Sequence, residues 1–410
     1  MIHVCFCFCD KTGRYAKFAG TSMLSLFENT RSKVTVHILH DNTLTDENRD
    51  KFYYIVGKYN QLVEFYNLDE LCLEQITKIK KFIPDVEKSA ATIGTFYKLL
   101  IPQVLPEKIK GAIFIDPDTI VNLDINELWQ NDLGDKVLGV VTEMENGANP
   151  NKAFLLCSEG TVKDEDYFNG GVLLMNLELL RNEQETIMQG IKFRGEYPKH
   201  KYFEQTVLNY CFSERTLKLP VKFNRFVRLE RSAKEEAVSE KIYHYAGGAS
   251  RPGLDMKDPF NRLWMSYFIK TPFFNEETIG SLFARLQKIR NDVKELPLKL
   301  ATTMPGKMRT FFIEPQKVAS MKKFFAIQDY EEIILAEDES SLQKLIDTMR
   351  NYKGMSVFFI LTENFLRKKF PFERLNKEGF QEDRDFVKAW RFLTEAQGVP
   401  FDIYPFIQAM

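Results

Sequence analysis

Residues 111 to 121 read Gly-Ala-Ile-Phe-Ile-Asp-Pro-Asp-Thr-Ile-Val. A short apolar run opens onto two carboxylates one residue apart, which reads as a buried strand, Gly111 to Ile115, ending at Asp116. On an extended backbone positions i and i+2 face the same way, so Asp116 and Asp118 can reach one hard cation or bridge it to phosphate oxygens. Pro117 favours an extended Asp116. A polar strand end followed by a turn gives the same residues, but two acids at a strand mouth repel each other and require a cation or strong donors beside them.

Upstream, β-rich runs alternate with helical periods: a strand from Ile2 to Cys9, a helix from Tyr15 to Phe27, a strand through Val34 and Ile38, a helix from Thr45 to Tyr59, a strand from Leu62 to Phe65 and a helix-like stretch from Thr92 to Val104. Alternation of this kind predicts an α/β fold with a mostly parallel sheet and helices on both faces, and ligands bound beyond the carboxyl ends of its strands. Downstream come strands at Val137 to Val141 and Gly171 to Asn176, helical windows at Leu177 to Phe193 and Phe203 to Phe212, and a strand from Lys241 to Tyr245. An amphipathic helix from Glu276 to Val293 and a Pro- and Gly-punctuated loop then mark a boundary. The division predicted is a domain over 1–270, a helical and basic linker over 271–309, and a smaller α/β domain over 310–410. In the last, strands are expected at Thr310 to Ile313, Glu332 to Ala336 and Ser356 to Leu361, helices at Ser341 to Arg350 and Asp383 to Ala396, and an apolar stretch at Phe401 to Tyr404. This region carries no glycine-rich phosphate loop, metal-ligand spacing or nucleophile elbow.

The composition of the 410 residues, 44% apolar and 28% charged, is that of a globular chain and not of a disordered or fibrous one. A net charge of −1 removes a global electrostatic argument for nucleic acid as partner. No apolar run approaches the roughly 20 residues that span a bilayer, and the N-terminus lacks the basic region and cleavage site of a signal peptide, so a cytoplasmic location is expected. Between Arg285 and Lys323 basic residues outnumber acidic ones ten to three, which would suit peripheral contact with an anionic membrane, or simply a solvated helix face. Cys5, Cys7 and Cys9 alternate along one strand face, where packing of reduced thiols is the simpler reading than a metal site.

Two further segments carry chemistry. In Lys241-Ile-Tyr-His-Tyr-Ala-Gly-Gly-Ala-Ser-Arg-Pro252 a strand ends in His244, whose neutral imidazole suits a divalent ion, and Arg251 follows as a forked donor for a diphosphate. In Tyr167-Phe-Asn-Gly-Gly-Val-Leu-Leu-Met-Asn176, Gly170 and Gly171 are expected to let a ligand approach the backbone closely. Each has an ordinary structural alternative, a satisfied core histidine and a glycine turn.

Taken in order, FIDPDTIV, YFNGGVLLMNL, FEQTVLN and HYAGGASRP resemble the family 8 glycosyltransferases over roughly residues 1 to 265. The resemblance implies a GT-A fold, a Rossmann-like mixed sheet with helices on both faces, a UDP-hexose donor, Mn²⁺ or Mg²⁺ as cofactor, and transfer with retention of anomeric configuration to a saccharide or lipid-linked acceptor. It implies that Asp116, Asp118 and His244 ligate the metal. Cys9 or Asp10 would contact uridine, Lys98 would lie near the donor, and Gly247 and Arg251 would close over the diphosphate. Asn169, Gly170, Glu204 and Gln205 would surround the sugar, with Gln205 or Glu204 acting at the anomeric carbon. Two departures are Pro252-Gly253, where proline and tryptophan often follow, and Glu204, where some members have aspartate. A haloacid-dehalogenase-like phosphatase also uses Asp-x-Asp, but normally on an early strand. A glycosidase needs its carboxylates about 5 Å or more apart across a sugar. A non-catalytic sugar-nucleotide-binding or scaffold protein is the remaining alternative.

Overall fold

The computed structural model of the chain describes residues 1–84, 86, 93–235, 237–247, 251–253, 255–275, 280, 308–315, 318–319, 322, 327–353, 355–361, 370–381 and 385–388. These fall into two compact units, one within Met1–Ser281 and one within Leu282–Phe401.

The strands of the first unit are β1 (Ile2–Phe8), β2 (Val34–His40), β3 (Leu62–Asn67), β4 (Gly111–Ile115), β5 (Thr119–Asn122), β6 (Leu138–Thr142), β7 (Phe168–Asn176), β8 (Thr216–Lys218), β9 (Arg225–Phe226) and β10 (Lys241–His244). Seven of them form one sheet in the order β3-β2-β1-β4-β7-β6-β8, and β5-β10-β9 form a small second sheet. In the large sheet β7 alone runs against the other strands. This is a mixed α/β architecture. Strands β2 and β4 are buried almost throughout; β4 accordingly reads as a continuous apolar run, whereas β2 buries Thr35, His37 and His40 among its apolar residues.

Helix Arg14–Asn29 is tied to β5 by small hydroxyls, Ser22 Oγ lying 2.9 Å from Thr119 Oγ1 and Ser25 Oγ accepting from the Val121 N–H at 2.9 Å. The segment expected as a helix from Thr92 is instead a 3₁₀ run, Ile93–Leu100, followed by one α turn, Ile101–Val104. Gly94 lies so close to the end of β1 that a Cβ there would come within 2.7 Å of the Cys9 backbone nitrogen, a contact that leaves this segment no freedom of position. The helix expected from Leu177 to Phe193 is two pieces, Leu177–Arg181 and Gln184–Glu196. At the break, Arg181 turns its guanidinium onto the carbonyls of Pro102, Leu105, Pro106, Glu107 and Ile109, at 2.9 to 3.2 Å.

The second unit is a four-stranded, all-parallel sheet in the order β12-β11-β13-β14, from β11 (Met308–Ile313), β12 (Glu332–Leu335), β13 (Ser356–Leu361) and β14 (Phe386–Lys388). Helix Glu339–Asn351, opened by an Asp338–Ser341 capping box, joins Leu342, Leu345 and Ile346 to a core with Phe312, Phe358 and Phe386. The helix expected from Asp383 to Ala396 is therefore corrected: Phe386–Lys388 are a strand, because pairing with the edge of β13 buries Phe386 and overrides the local helical pattern. The expected Glu276 to Val293 helix, most of the basic 285–323 stretch and the Phe401 to Tyr404 run lie outside the described residues. No helix among the described residues is long and apolar enough to cross a membrane.

Arg181 yields a direct test of this packing. Replacing it by Ala leaves five carbonyls without their shared donor and is expected to destabilise the fold by about 2–3 kcal/mol. Arg181→Lys should recover only part of that, since one ammonium cannot span the positions a planar fork reaches. Chemical denaturation of the three proteins would measure both, and full recovery by lysine would refute the geometric argument.

Candidate active site

The carboxyl end of β4 delivers Asp116, whose N–H donates to the Gly171 carbonyl at 2.7 Å. Asp118 directly precedes β5, and antiparallel pairing of β5 with β10 sets His244 opposite Thr119. The Tyr245 N–H closes this corner on the Asp118 carbonyl at 2.9 Å. Asp116, Asp118 and His244 consequently offer ligand atoms that all lie within 4.8 Å of one another. His244 Nε2 is 3.4 Å from Asp118 Oδ1 and 3.8 Å from Asp116 Oδ2. Its other nitrogen, Nδ1, lies 3.0 Å from Asn224 Oδ1. With Asn224 accepting from Nδ1–H, Nε2 keeps its lone pair toward the carboxylates.

The two glycines of β7 do something other than admit a ligand. A Cβ on Gly171 would come within 2.2 Å of His244 Cε1, so the absence of a side chain makes room for the imidazole. Gly170 is committed to protein partners, its carbonyl accepting from Lys98 Nζ at 2.9 Å and its N–H donating to Gln205 Oε1 at 3.2 Å.

Lys98, buried in the 3₁₀ run, also donates to Asp116 Oδ1 at 3.2 Å and Glu204 Oε1 at 3.1 Å, with its ammonium 4.4 Å from the centre of the Phe114 ring. Burial works against its charge, but the Asp116 and Glu204 carboxylates outweigh burial and hold its pKa above lysine's ordinary value. Burial, aided by the Asp118 charge, lifts Asp116 to about 6 against the pull of Lys98 and His244. Asp118 is equally enclosed, yet Arg251, 2.7 Å away, and His244 overcome burial and keep its carboxyl well below the usual range.

On the far side of the carboxylates a chain of amides runs inward. Asn224 Nδ2 donates to Asn169 Oδ1 at 2.9 Å, and Asn169 Nδ2 donates to Gln205 Oε1 at 3.0 Å and Glu143 Oε1 at 3.1 Å. Gln205 Nε2 lies 3.4 Å from the Tyr167 hydroxyl. Asp116 and Asp118 thus stand between two cavities. One is bounded by Phe8, Cys9, Tyr15, Gly94, Lys98 and Arg251. The other is bounded by Asn169, Gln205, Phe226, Arg228, His244 and Gly247, the last with φ +80°.

The sequence-predicted residues therefore gather around one cleft, with one departure. Asp10 is turned away, its carboxylate accepting from the Ala16 N–H and from Asn48 Nδ2, both at 3.0 Å, so that it secures the start of helix Arg14–Asn29. Cys9 lines the cleft instead, its thiol 3.5 Å from the Tyr97 hydroxyl. Sequence reasoning missed Asn224, Glu143 and Tyr167. Asn224 follows a single 3₁₀ turn, Val221–Phe223, and carries no periodic signal, whereas Tyr167 and Glu143 flank strands whose ends could have been searched for polar groups.

A model of glycosyl transferase family 8 matches residues 5–254. General stress protein A of Bacillus subtilis (strain 168) is 24% identical over 300 residues, spanning 68% of this chain and 96% of that protein. The lipopolysaccharide 1,2-glucosyltransferase of Escherichia coli is 26% identical over 213 residues, 51% of this chain and 59% of that enzyme. Among solved structures, the galactosyltransferase LgtC in complex with donor and acceptor sugar analogs aligns with a TM-score of 0.54 at 19% identity, over 68% of this chain and 99% of LgtC. The bifunctional glycosyltransferase WbbM aligns with a TM-score of 0.52 at 18% identity, over 67% of this chain and 50% of WbbM. At these identities the likeness is one of fold, the GT-A architecture.

Asp10 predicts a pH signature separate from any ligand. Burial outweighs its hydrogen bonds from Ala16, Asn48 and Tyr15 and the charge of Lys17, and raises its carboxyl from the ordinary 3.8 to about 6. The folded form binds this proton more tightly than the unfolded chain, so the associated stabilisation is fully present below about pH 4 and is lost as pH rises through about 6. The unfolding midpoint of the chain relative to that of Asp10→Asn should therefore fall between pH 4 and 7, and a difference that does not change with pH would contradict the assignment.

Proposed function

Because the chain belongs to glycosyl transferase family 8, we propose that it moves a hexose, glucose or galactose, from a UDP-sugar to a saccharide or lipid-linked acceptor with retention of anomeric configuration. The observation that carries this reading is the pair of carboxylates dividing one cleft, with cationic and aromatic walls on one side and an amide network on the other. The name of the Escherichia coli relative supports a place in surface polysaccharide or lipopolysaccharide synthesis.

The donor set of Asp116, Asp118 and His244 fits a divalent cation such as Mn²⁺ or Mg²⁺: two hard carboxylates and one imidazole whose tautomer Asn224 fixes. Such an ion, when bound, would offset the charge that develops on the departing diphosphate. Arg251 stands beside Asp118 with a planar fork suited to phosphate oxygens. Phe8, Cys9, Tyr15 and Gly94 line the same cavity and, in this reading, wall the place of a flat base.

In this reading Gln205, which lines the cavity beyond the carboxylates, faces the anomeric carbon. Its oxygen already accepts from the Gly170 N–H and Asn169 Nδ2, so its amide is held in one orientation. A fixed dipole can stabilise a cation-like carbon without reorganisation, whereas nucleophilic attack by Oε1 would first have to break two hydrogen bonds. The geometry therefore favours Gln205 as an electrostatic stabiliser. Glu204 is held by Lys98 and contributes charge balance at the edge of the donor cavity.

Two measurements test this reading. UDP with Mn²⁺, each about a hundredfold above its Kd, should raise the unfolding midpoint by about 5–10 °C, neither alone should match it, and Asp118→Asn should abolish the joint effect. An unmoved midpoint would turn attention to the scaffold alternative. With a UDP-hexose as substrate, Gln205→Ala should lower turnover by about 10²-fold or more while leaving the UDP–Mn²⁺ shift in place. Unchanged turnover at saturating donor would remove Gln205 from the reaction centre.

A further inference from the structure

A third cavity, about 450 Å³ in volume, adjoins the reaction side of the cleft and lies within the roughly 300–1,000 Å³ typical of small-ligand sites. Phe154 and Tyr202 line both this cavity and the one that holds Gln205, so the two adjoin at that aromatic pair. The pair is built into the site. Tyr167, whose hydroxyl meets Gln205, stacks on Phe154 with ring centres 4.0 Å apart and planes inclined by 16°. Tyr202 closes edge-on over Phe154 at 4.8 Å and is itself 47% exposed. An aromatic platform at the end of a polar cleft offers a face for the C–H side of a sugar ring.

Charge on this wall is one-sided. Lys199 and Lys201 line the groove on either side of His200, and among the described residues no acidic side chain lines it. Among the described residues neither lysine is in an ion pair, and both are exposed. His200 differs, being buried with its Nε2 3.5 Å from Glu159 Oε2. In the adjoining cavity of the cleft, Arg228 adds a third cation, over the Phe226 ring at 5.0 Å and likewise in no ion pair among the described residues. A neutral glycan would gain little from this arrangement, while an acidic one would be attracted and oriented by it.

We propose that the acceptor is a saccharide bearing an anionic group, phosphate or carboxylate, which lies across Phe154 and Tyr202 with its charge against Lys199 and Lys201. This rests on the transfer reaction proposed above and assigns the chemical class of the acceptor. Phosphate and carboxylate share the feature being read, negative oxygens beyond a sugar ring, and the probes separate them.

The test is calorimetric titration of the full chain, in the presence of UDP and Mn²⁺, with methyl glucoside 6-phosphate, methyl glucuronoside and methyl glucoside. At least one anionic probe should bind about tenfold more tightly than the neutral one, and the preference should shrink as salt is raised. The double variant Lys199→Ala, Lys201→Ala should erase the preference while its UDP–Mn²⁺ thermal shift stays that of the parent. Tyr202→Ala should weaken all three probes together. Whichever anionic probe binds more tightly identifies the source of the charge. Equal affinity for the three, including no measurable binding of any, overturns the proposal, as does a preference that survives loss of both lysines. Should UDP and Mn²⁺ leave the midpoint unmoved while the charge preference persists, the donor reading falls and the anionic groove stands.

Discussion

Everything in the cleft is arranged around one buried ammonium. Lys98 holds Asp116 from the end of β4, the Gly170 carbonyl from β7 and Glu204 from the first turn of helix Phe203–Phe212. A lone buried cation would be strongly unfavourable, and two carboxylates closing on one another would be hardly better; together they satisfy each other's hydrogen bonds. Because its three partners come from three elements, the lysine also fixes their relative position. Removing it would leave Asp116 and Glu204 as unbalanced half-buried acids, so the cost would reach the fold as well as the chemistry.

The balance of charge around that lysine is deliberate in a physical sense. Asp116, Asp118 and Glu204 face Lys98 and Arg251, leaving one negative charge in excess when every acid is ionised and His244 is neutral. That sign favours a cation and disfavours an unaccompanied diphosphate. Under the proposed function, a divalent ion would reverse it and make the site attractive to the donor. The residues that connect His244 to Gln205, namely Asn224 and Asn169, are neutral amides. They transmit orientation without altering the count, which a carboxylate in place of Asn224 would do.

Much of this was legible in the sequence because the chemistry sits at strand ends. Asp116, Asp118 and His244 each stand near the end of a strand-like run, where two acids one residue apart need a cation or strong donors beside them. Glu204 and Gln205 open a recognisable helical period. Asp10 shares the strand-end signal but serves a helix terminus, a use that needs the position of Ala16 and Asn48 to be seen. Asn224 was invisible, since its neighbours form one 3₁₀ turn and a two-residue strand. The Tyr167, Phe154 and Tyr202 stack was invisible for another reason, being assembled from separate loops, where aromatic residues read as ordinary core. In the second unit the error at β14 has the same root: three residues are too few for a period to outvote the helical pattern around them, and only the β13 edge decides.

The start of helix Phe203–Phe212 borders both sides of the cleft and the aromatic groove beside it. Successive helical residues point about 100° apart, and here Glu204 faces the cavity of Arg251, Gln205 the cavity of Asn169 and His244, and Thr206 the aromatic groove. One rigid turn therefore borders all three spaces. Phe203, just before, holds φ +27°, a strained value for a residue with a side chain, and its ring is covered by the Arg194 guanidinium at 4.8 Å. Strain at that position costs stability and yields an abrupt helix start, which lets three consecutive side chains fan into three cavities before the helix enters the core through Val207 and Leu208.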